Sequence, residues 1–558
     1  MPGQCATITL TRTSTVAEGV YAPGHLGELT QVIPFELVNA VLAETGRTQQ
    51  RLRSLPSRVG VYYLLALALF PDHSYQGVWR QLTAALGDLP LPSVSTTALR
   101  HLRRRITPVP LKLLFETLAG PLAQPSTPGV CYRRYRTVAF DGCSSIKTPD
   151  AERARGWLGK IRYRLAWAGY PTVMLMALVE TGTRGLLGAV FGPPSSGEST
   201  YAMRLLPLLT GEHLLLIDRG FDSNAFLAKV AATGAQFLAR CKSTRRPPLL
   251  RPLADGSYLS RLGELTVRII EADIVCVLTD GTRLGGRYRL ATTLLDPAVD
   301  PADQLIGLYQ ERWEIESAFF SLRCTLMEGR ILRSGDRFGI EQELWATLAL
   351  YQALRCVMVD AVESCPGTDP DRAGFTLALQ TARTQVVLAA EIVPEQPQLV
   401  GVIGRTVLEN LLPARRLRIS ARKVKSPISR YHTFGGQARP RASTPVAAIE
   451  ITIYDRTGTP PAPQSLVAPS TAESKEQAAQ ATSHDDPDCQ DRSVQDPGGR
   501  MTLTLAVLGS HLGEPWHARD VARLLGVTNI NSFRVQMSQW AHRGLIHKTG
   551  PATYTLAC

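Results

Sequence analysis

The chain has 558 residues, of which 44% are hydrophobic, enough to bury several cores, and its 61 Lys and Arg exceed its 48 Asp and Glu for a formal charge of +13. Its ten cysteines form no C-x2-C or C-x4-C pair, so a zinc ribbon is excluded and reduced thiols are expected. Its apolar runs, such as 61–70, stop short of the roughly 20 residues a bilayer requires, and no basic stretch followed by an apolar core opens the chain, so neither a membrane span nor a signal peptide is expected and the protein is read as cytoplasmic.

Residues 1–30 read as poorly ordered, and 35–122 as helices interrupted by prolines. Within them Ser95, Thr96 or Thr97 caps a short helix over 98–105, whose four arginines face out either onto DNA or simply into solvent. Strand-like runs follow. Thr137 to Phe140 is an apolar run closed by Asp141 and Gly142, placing the acid where a buried strand stops. Residues 171–180 and 185–191 are further strands, and Ser195-x-x-Glu198 reads as a capping box opening a helix over 200–209, which gives Glu198 a structural role. Strand 213–217 ends at Asp218, followed by Arg219-Gly220-Phe221. Helix 224–233, strand 236–240 and short strands at 265–270, 274–278 and 288–294 come next.

The segment Tyr309-Gln-Glu-Arg312-Trp-Glu-Ile-Glu316, continuing to Arg323, carries the most information. At about 100° per residue, Tyr309, Arg312, Glu316 and Arg323 share a stripe roughly 60° wide, beside an apolar stripe of Leu308, Ile315, Phe319, Leu322 and Leu326. A carboxylate flanked by guanidiniums and a phenol suits a metal ion and the phosphates of a nucleic acid; the plain alternative is an amphipathic surface helix. If Asp141, Asp218 and Glu316 converge, they form a hard-cation site. Three close carboxylates repel unless neutralised, and oxygen donors favour Mg2+ or Mn2+ over zinc.

Helices over 341–362 and 375–390 present core stripes. Residues 401–445 hold ten basic side chains against Glu409 alone, and Arg415, Arg416, Arg418, Arg422, Lys423 and Lys425 are its densest part, expected to track a phosphate backbone; a solvated tail is the alternative. Residues 456–500, rich in Pro, Ser, Ala and Gln, read as a disordered linker. Beyond it, three helical runs and a hairpin within 501–558 outline a winged helix-turn-helix module tethered at a distance. Phe533, Met537, Trp540 and Ala541 form the packed face of its third helix. Ser532, Gln536, Gln539 and Arg543 line a polar face fit to read a major groove or to contact a protein.

The chain resembles the DDE transposases of bacterial insertion sequences, specifically the insertion-sequence-four class with its Y-x2-R-x3-E-x6-K signature, matched by Tyr309, Arg312 and Glu316 with Arg323 in place of the lysine. Phe140-Asp141-Gly142 is similar to that family's first-aspartate segment and Asp218-Arg-Gly-Phe221 to its second, with Cys143 where threonine is expected. The resemblance covers about residues 30–430 and implies an RNase H-like α/β catalytic core with a β insertion. The expected organisation is an N-terminal helical, DNA-end-binding domain (1–130) and a catalytic domain (131–395) with its insertion at about 248–298. A basic DNA-contacting segment (396–455), the linker (456–500) and the terminal module (501–558) follow. By the resemblance, Asp141, Asp218 and Glu316 hold two Mg2+ or Mn2+ ions, while Tyr309, Arg312 and Arg323 grip the DNA. The activity implied is cut-and-paste transposition by a homodimer acting on terminal inverted repeats and a target duplex, with a hairpin on the excised end as a further option. A catalytically inactive DNA-binding descendant and another RNase H-like nuclease are the alternatives.

Overall fold

The computed structural model describes residues 24–51, 53–86, 91–160, 169–392, 400–413 and 443–454, and, within 504–556, residues 504–505, 507–509, 515–525, 533–534, 537, 540–541, 546–550 and 552–556. It adds backbone strand positions at 15–16, 19–20, 418–420 and 464–467 and a bridge at 162. The basic residues Arg415, Arg416, Arg422, Lys423 and Lys425 and the polar residues Ser532, Gln536, Gln539 and Arg543 lie outside the described residues, as does the side chain of Arg418.

Nine strands make the path of the large sheet; beyond the short edge strand Arg418–Ser420, which pairs with the last of them, they are β1 Tyr135–Lys147, β2 Thr172–Glu180, β3 Leu186–Gly192, β4 His213–Ile217, β5 Gln236–Arg240, β6 Leu265–Leu278, β7 Arg283–Thr292 and β8 Ser443–Ile453. Their order is β8-β6-β7-β5-β4-β1-β2-β3. β1 runs parallel to β4 and β4 to β5, whereas β2 is antiparallel to β1 and to β3. Three antiparallel strands followed by two parallel ones in the order 3-2-1-4-5 is consistent with an RNase H-like core.

The central strands are apolar throughout because both faces are covered. Val138, Phe140, Leu215 and Ile217 point into one core with Tyr201 and Phe226. Their neighbours Ala139, Cys143, Leu214 and Leu216 point into the other, which also takes in the N-terminal helices. Those helices are α1 Phe35–Glu44, α2 Ser57–Leu69, α3 Tyr75–Thr83, α4 Thr96–Ile106 and α5 Val109–Leu118. The N-terminal helices and the sheet thus share one core. Helices α6 Glu198–Met203 and α7 Asn224–Ala231 contribute to the other core, α8 Ala302–Tyr309 and α9 Glu314–Phe320 follow the insertion, and α10 Arg337–Glu363 runs through the helical side. The α4 helix is capped by Ser95 as expected. Its Arg103 does not face out: it is buried and bonded to Gln342, Glu343 and Ser334.

Two further expectations change. The insertion strands read as 265–270 and 274–278 are one strand, β6, and β8, from the end of the basic 396–455 stretch, pairs with it from Ala272 to Leu278. The end of that stretch is thus part of the sheet. The terminal residues include α11 Ala518–Leu524 and a three-stranded antiparallel sheet of Trp516–His517, Ile546–Gly550 and Thr553–Leu556, around a core that includes Phe533, Met537, Trp540 and Tyr554. This unit is docked rather than held at a distance. Arg519 pairs with Asp360 and Arg523 with Glu363, both acids at the end of α10. His517 lies so close to Gly120 that a Cβ there would fall 2.4 Å from its Nε2. Arg523 and Glu363 lie 160 residues apart in sequence, so their complementary charges leave no local signal.

Candidate active site

Register places the first two acids side by side. Ala139 of β1 is opposite Leu216 of β4, and two residues further along each parallel strand come Asp141 and Asp218. β4 ends at Ile217, so Asp218 emerges at the strand end as expected. Asp141 does not: β1 continues to Lys147, kept by its antiparallel pairing with β2, including Asp141 opposite Ala177, with a register irregularity between Cys143 and Ile146. Asp141 is therefore a mid-strand residue standing just past the point where its parallel neighbour stops. Its Oδ1 accepts a 2.8 Å hydrogen bond from the Gly142 N–H.

The third acid arrives from the segment after the insertion, and that segment is not one uniform helix. α8 ends at Tyr309, a 3-10 turn covers Gln310–Trp313, α9 begins at Glu314, and Ser321–Leu326 is π-helical. Such π segments recur at functional sites because the extra residue re-aims side chains. Here Arg323 is turned onto the β1 irregularity, where it donates to Ser145 Oγ, with Cys143 and Cys324 sulfurs at 4.0 and 3.9 Å. Tyr309 is buried and its hydroxyl donates to the Ile217 carbonyl at 3.2 Å, tying this segment to the end of β4. Arg312 is 6% exposed, 3.5 Å from Glu316, and stacks 4.8 Å over Trp313.

The electrostatics follow from this arrangement. Burial, with help from the charges of Glu316 and Glu198, pushes the Asp141 carboxyl up to about 6 against the lowering effect of the Gly142 N–H and Arg312. Burial opposes the Arg312 charge, but Tyr309, Asp218, Asp141 and Glu316 together raise its pKa. Arg312 Nε has no hydrogen-bond partner among the described residues. Asp141, Asp218, Glu316 and Arg312 thus share one electrostatic neighbourhood. Among the described residues, no three His, Cys, Asp or Glu side chains are drawn together closely enough to grip a single ion. Like charges repel, and Glu316 is turned to Arg312. As a donor set, carboxylate oxygens with one acid raised by burial and, to a lesser extent, by its acidic neighbours suit hard divalent cations, which would relieve that repulsion.

Glu198 is the residue that sequence reasoning assigned elsewhere. The cap of α6 is Gly197, without any side-chain capping bond, and Glu198 is the first helical residue. Its carboxylate leans on Gly142, where a Cβ would meet its Cγ at 3.0 Å and its Oε1 at 3.1 Å. A capping-box spacing is shared by many glutamates that do not cap, and only the chain path through Gly197 separates the cases.

Comparison with known proteins bears on the same stretches. Residues 23–116 match the family model of the insertion element 4 transposase N-terminal region, and residues 133–352 match that of the transposase DDE domain, together more than half of the chain. The transposase InsG of insertion sequence element IS4 from Escherichia coli K12 is 25% identical over 420 residues, covering 71% of this chain and 91% of that protein. A cryo-EM structure of the piggyBac transposase synaptic complex with hairpin DNA aligns with a TM-score of 0.36 and 12% identity, over 69% of this chain and 84% of that one. Among the described residues no helix is long and apolar enough to cross a membrane. With the N-terminal and DDE models matching in order on the regions that carry the neighbouring Asp141 and Asp218 and the Tyr309, Arg312, Glu316 segment, this chain belongs to the insertion element 4 class of DDE transposases.

Proposed function

We propose that the protein binds the terminal inverted repeats of its element, cuts the DNA there and joins the released 3′-hydroxyls to a target duplex. The observation that carries this reading is the register that sets Asp141 beside Asp218, with Arg312 and Glu316 in the same electrostatic neighbourhood. In it, Asp141, Asp218 and Glu316 hold two Mg2+ or Mn2+ ions, whose chemistry when bound is to activate water or a 3′-hydroxyl and to stabilise the leaving oxygen of an in-line displacement.

The chain's own residues supply the rest. Arg312, buried and with an unpartnered Nε, offers a pre-aimed donor to a phosphate oxygen near the scissile bond. Tyr309 serves that arginine by fastening its segment to β4 at the Ile217 carbonyl. Arg323 keeps a cation at the family's lysine position, but its planar fork is engaged with Ser145, so its phosphate contact comes at the edge of the site. The basic residues Arg415, Arg416, Arg418, Arg422, Lys423 and Lys425 track the backbone further out. The winged module, through Gln536, Gln539 and Arg543, adds selection of ends or target, and the working unit is a homodimer on paired ends.

The test is incubation of the full chain with duplex carrying the inverted repeats that flank its gene. Mg2+-dependent cleavage at the element boundary is expected. Tight end binding with no cleavage would favour an inactive DNA-binding descendant, and cleavage of branched DNA without end preference would favour another nuclease.

A further inference from the structure

Two irregularities of the backbone meet at one side-chain contact. Between Cys143 and Ile146, three steps along β1 match the two from Leu175 to Val173 on β2, so β1 carries one extra residue there, a β-bulge. Ser321–Leu326, after α9, is π-helical, and such a turn likewise holds one residue more than regular helix. Extra residues of this kind re-aim the side chains beside them, and both kinds concentrate next to active sites. Here the bulge presents Ser145, four residues past Asp141 on the same strand, and the π segment presents Arg323, whose Nη1 donates to the Ser145 Oγ.

The contact has further supports. Cys143 Sγ lies 3.3 Å from Ser145 Oγ and 4.0 Å from Arg323 Nη1, while Cys324 Sγ lies 3.9 Å from Nη2. A hydroxyl and two sulfurs, none of them a carboxylate, thus orient the guanidinium without cancelling its charge. Arg323 is only partly buried, and the Ser145 bond uses one of several N–H donors on its planar fork. Such a cradle suits a guanidinium, whose plane it fixes, better than an ammonium, whose donors rotate freely. Cys143 and Arg323 are also the two positions named above at which the sequence departs from the class's pattern, and here they adjoin each other.

We propose that Ser145, set by the bulge in β1 and flanked by Cys143, is a positioning residue: it fixes the plane of the Arg323 guanidinium so that its remaining donors meet a backbone phosphate of the DNA strand in the site. This deepens the reading of Arg323 as a phosphate contact and rests on it.

The experiment measures Mg2+-dependent cleavage of element-end DNA at saturating DNA, with end affinity against salt in parallel, for the full chain as wild type, Ser145→Ala, Ser145→Thr, Arg323→Lys, Arg323→Gln and the double variant Ser145→Ala with Arg323→Gln. Arg323→Gln slows cleavage and makes the salt dependence shallower by about one unit. Ser145→Ala retains the charge and hence the salt slope, but slows cleavage by about tenfold, the scale of a lost hydrogen bond to a charged group. Ser145→Thr, which keeps the hydroxyl, recovers most of that rate. The double variant is no slower than Arg323→Gln alone, because Ser145 acts only through the arginine. Arg323→Lys keeps the charge without the planar fork, so it is expected to cleave as slowly as Ser145→Ala with the wild-type slope, and it provides the test if Ser145→Ala does not fold. Wild-type cleavage by Ser145→Ala or by Arg323→Lys, or a double variant slowed by the product of the two single effects, overturns the role of Ser145. Wild-type cleavage and salt slope in Arg323→Gln overturn the reading of Arg323 itself.

Discussion

Burial lifts the Asp141 carboxyl from 3.8 to about 6, so the folded chain holds that proton more tightly than the unfolded chain does. With the folded pKa above the unfolded one, stability is greatest below about 4 and declines as pH rises towards about 6. In cation-free buffer at pH 8, Asp141→Asn should therefore be more stable than wild type by about 1–3 kcal/mol, and the difference should shrink on acidification to pH 4, as measured by urea unfolding. No gain at pH 8 would show that the site does not strain this carboxylate. The two aspartates were legible in the sequence because an apolar run closed by Asp and followed within two residues by Gly marks a strand end. The continuation of β1 past Asp141 was not, because Gly142-Cys143-Ser144-Ser145 has little strand propensity and is held by pairing with β2. Glu198 was lost to a motif with a more ordinary explanation.

Helical periodicity found the Tyr309 to Arg323 stripe, yet a uniform 100° step cannot foresee the 3-10 and π segments that re-aim its ends. Replacing Arg312 with Gln should weaken DNA binding across sequences and make the salt dependence shallower by about one unit. An unchanged slope accompanied by a lower melting temperature would instead identify Arg312 as a structural partner of Glu316. The same limit applies to α4, where the arginines looked like a solvated or DNA-facing set. Arg103 is 6% exposed and paired with Glu343 of α10 at 3.2 Å, a long-range contact that no local pattern announces. Arg103→Ala leaves that acid buried without its counter-ion, held among the described residues only by the Arg333 N–H and the Ser334 hydroxyl, so a loss of about 3 kcal/mol is expected in urea unfolding. A loss under 1 kcal/mol would mean that Glu343 readily finds solvent.

At the scale of the molecule, composition and charge pointed to a multi-part, DNA-handling protein, and the order of strands was readable well enough to suggest the core. What sequence could not supply was which parts touch: β8 joining the insertion, the helical region sharing a core with the sheet, and the terminal unit resting on α10. Reversing Asp360 and Glu363 to Lys should release that unit, seen as faster amide exchange over 516–524 with exchange in β1 and β4 unchanged. Unaltered exchange would show that the two ion pairs do not hold it. The central claim is that Asp141, Asp218 and Glu316 are the residues that cut. Its most direct measurement is Mg2+-dependent cleavage of element-end DNA by the three single alanine variants, with end binding measured in parallel. Each variant is expected to bind the ends and to lose cleavage, whereas full cleavage by any one of them would remove that residue from the site and contradict the account.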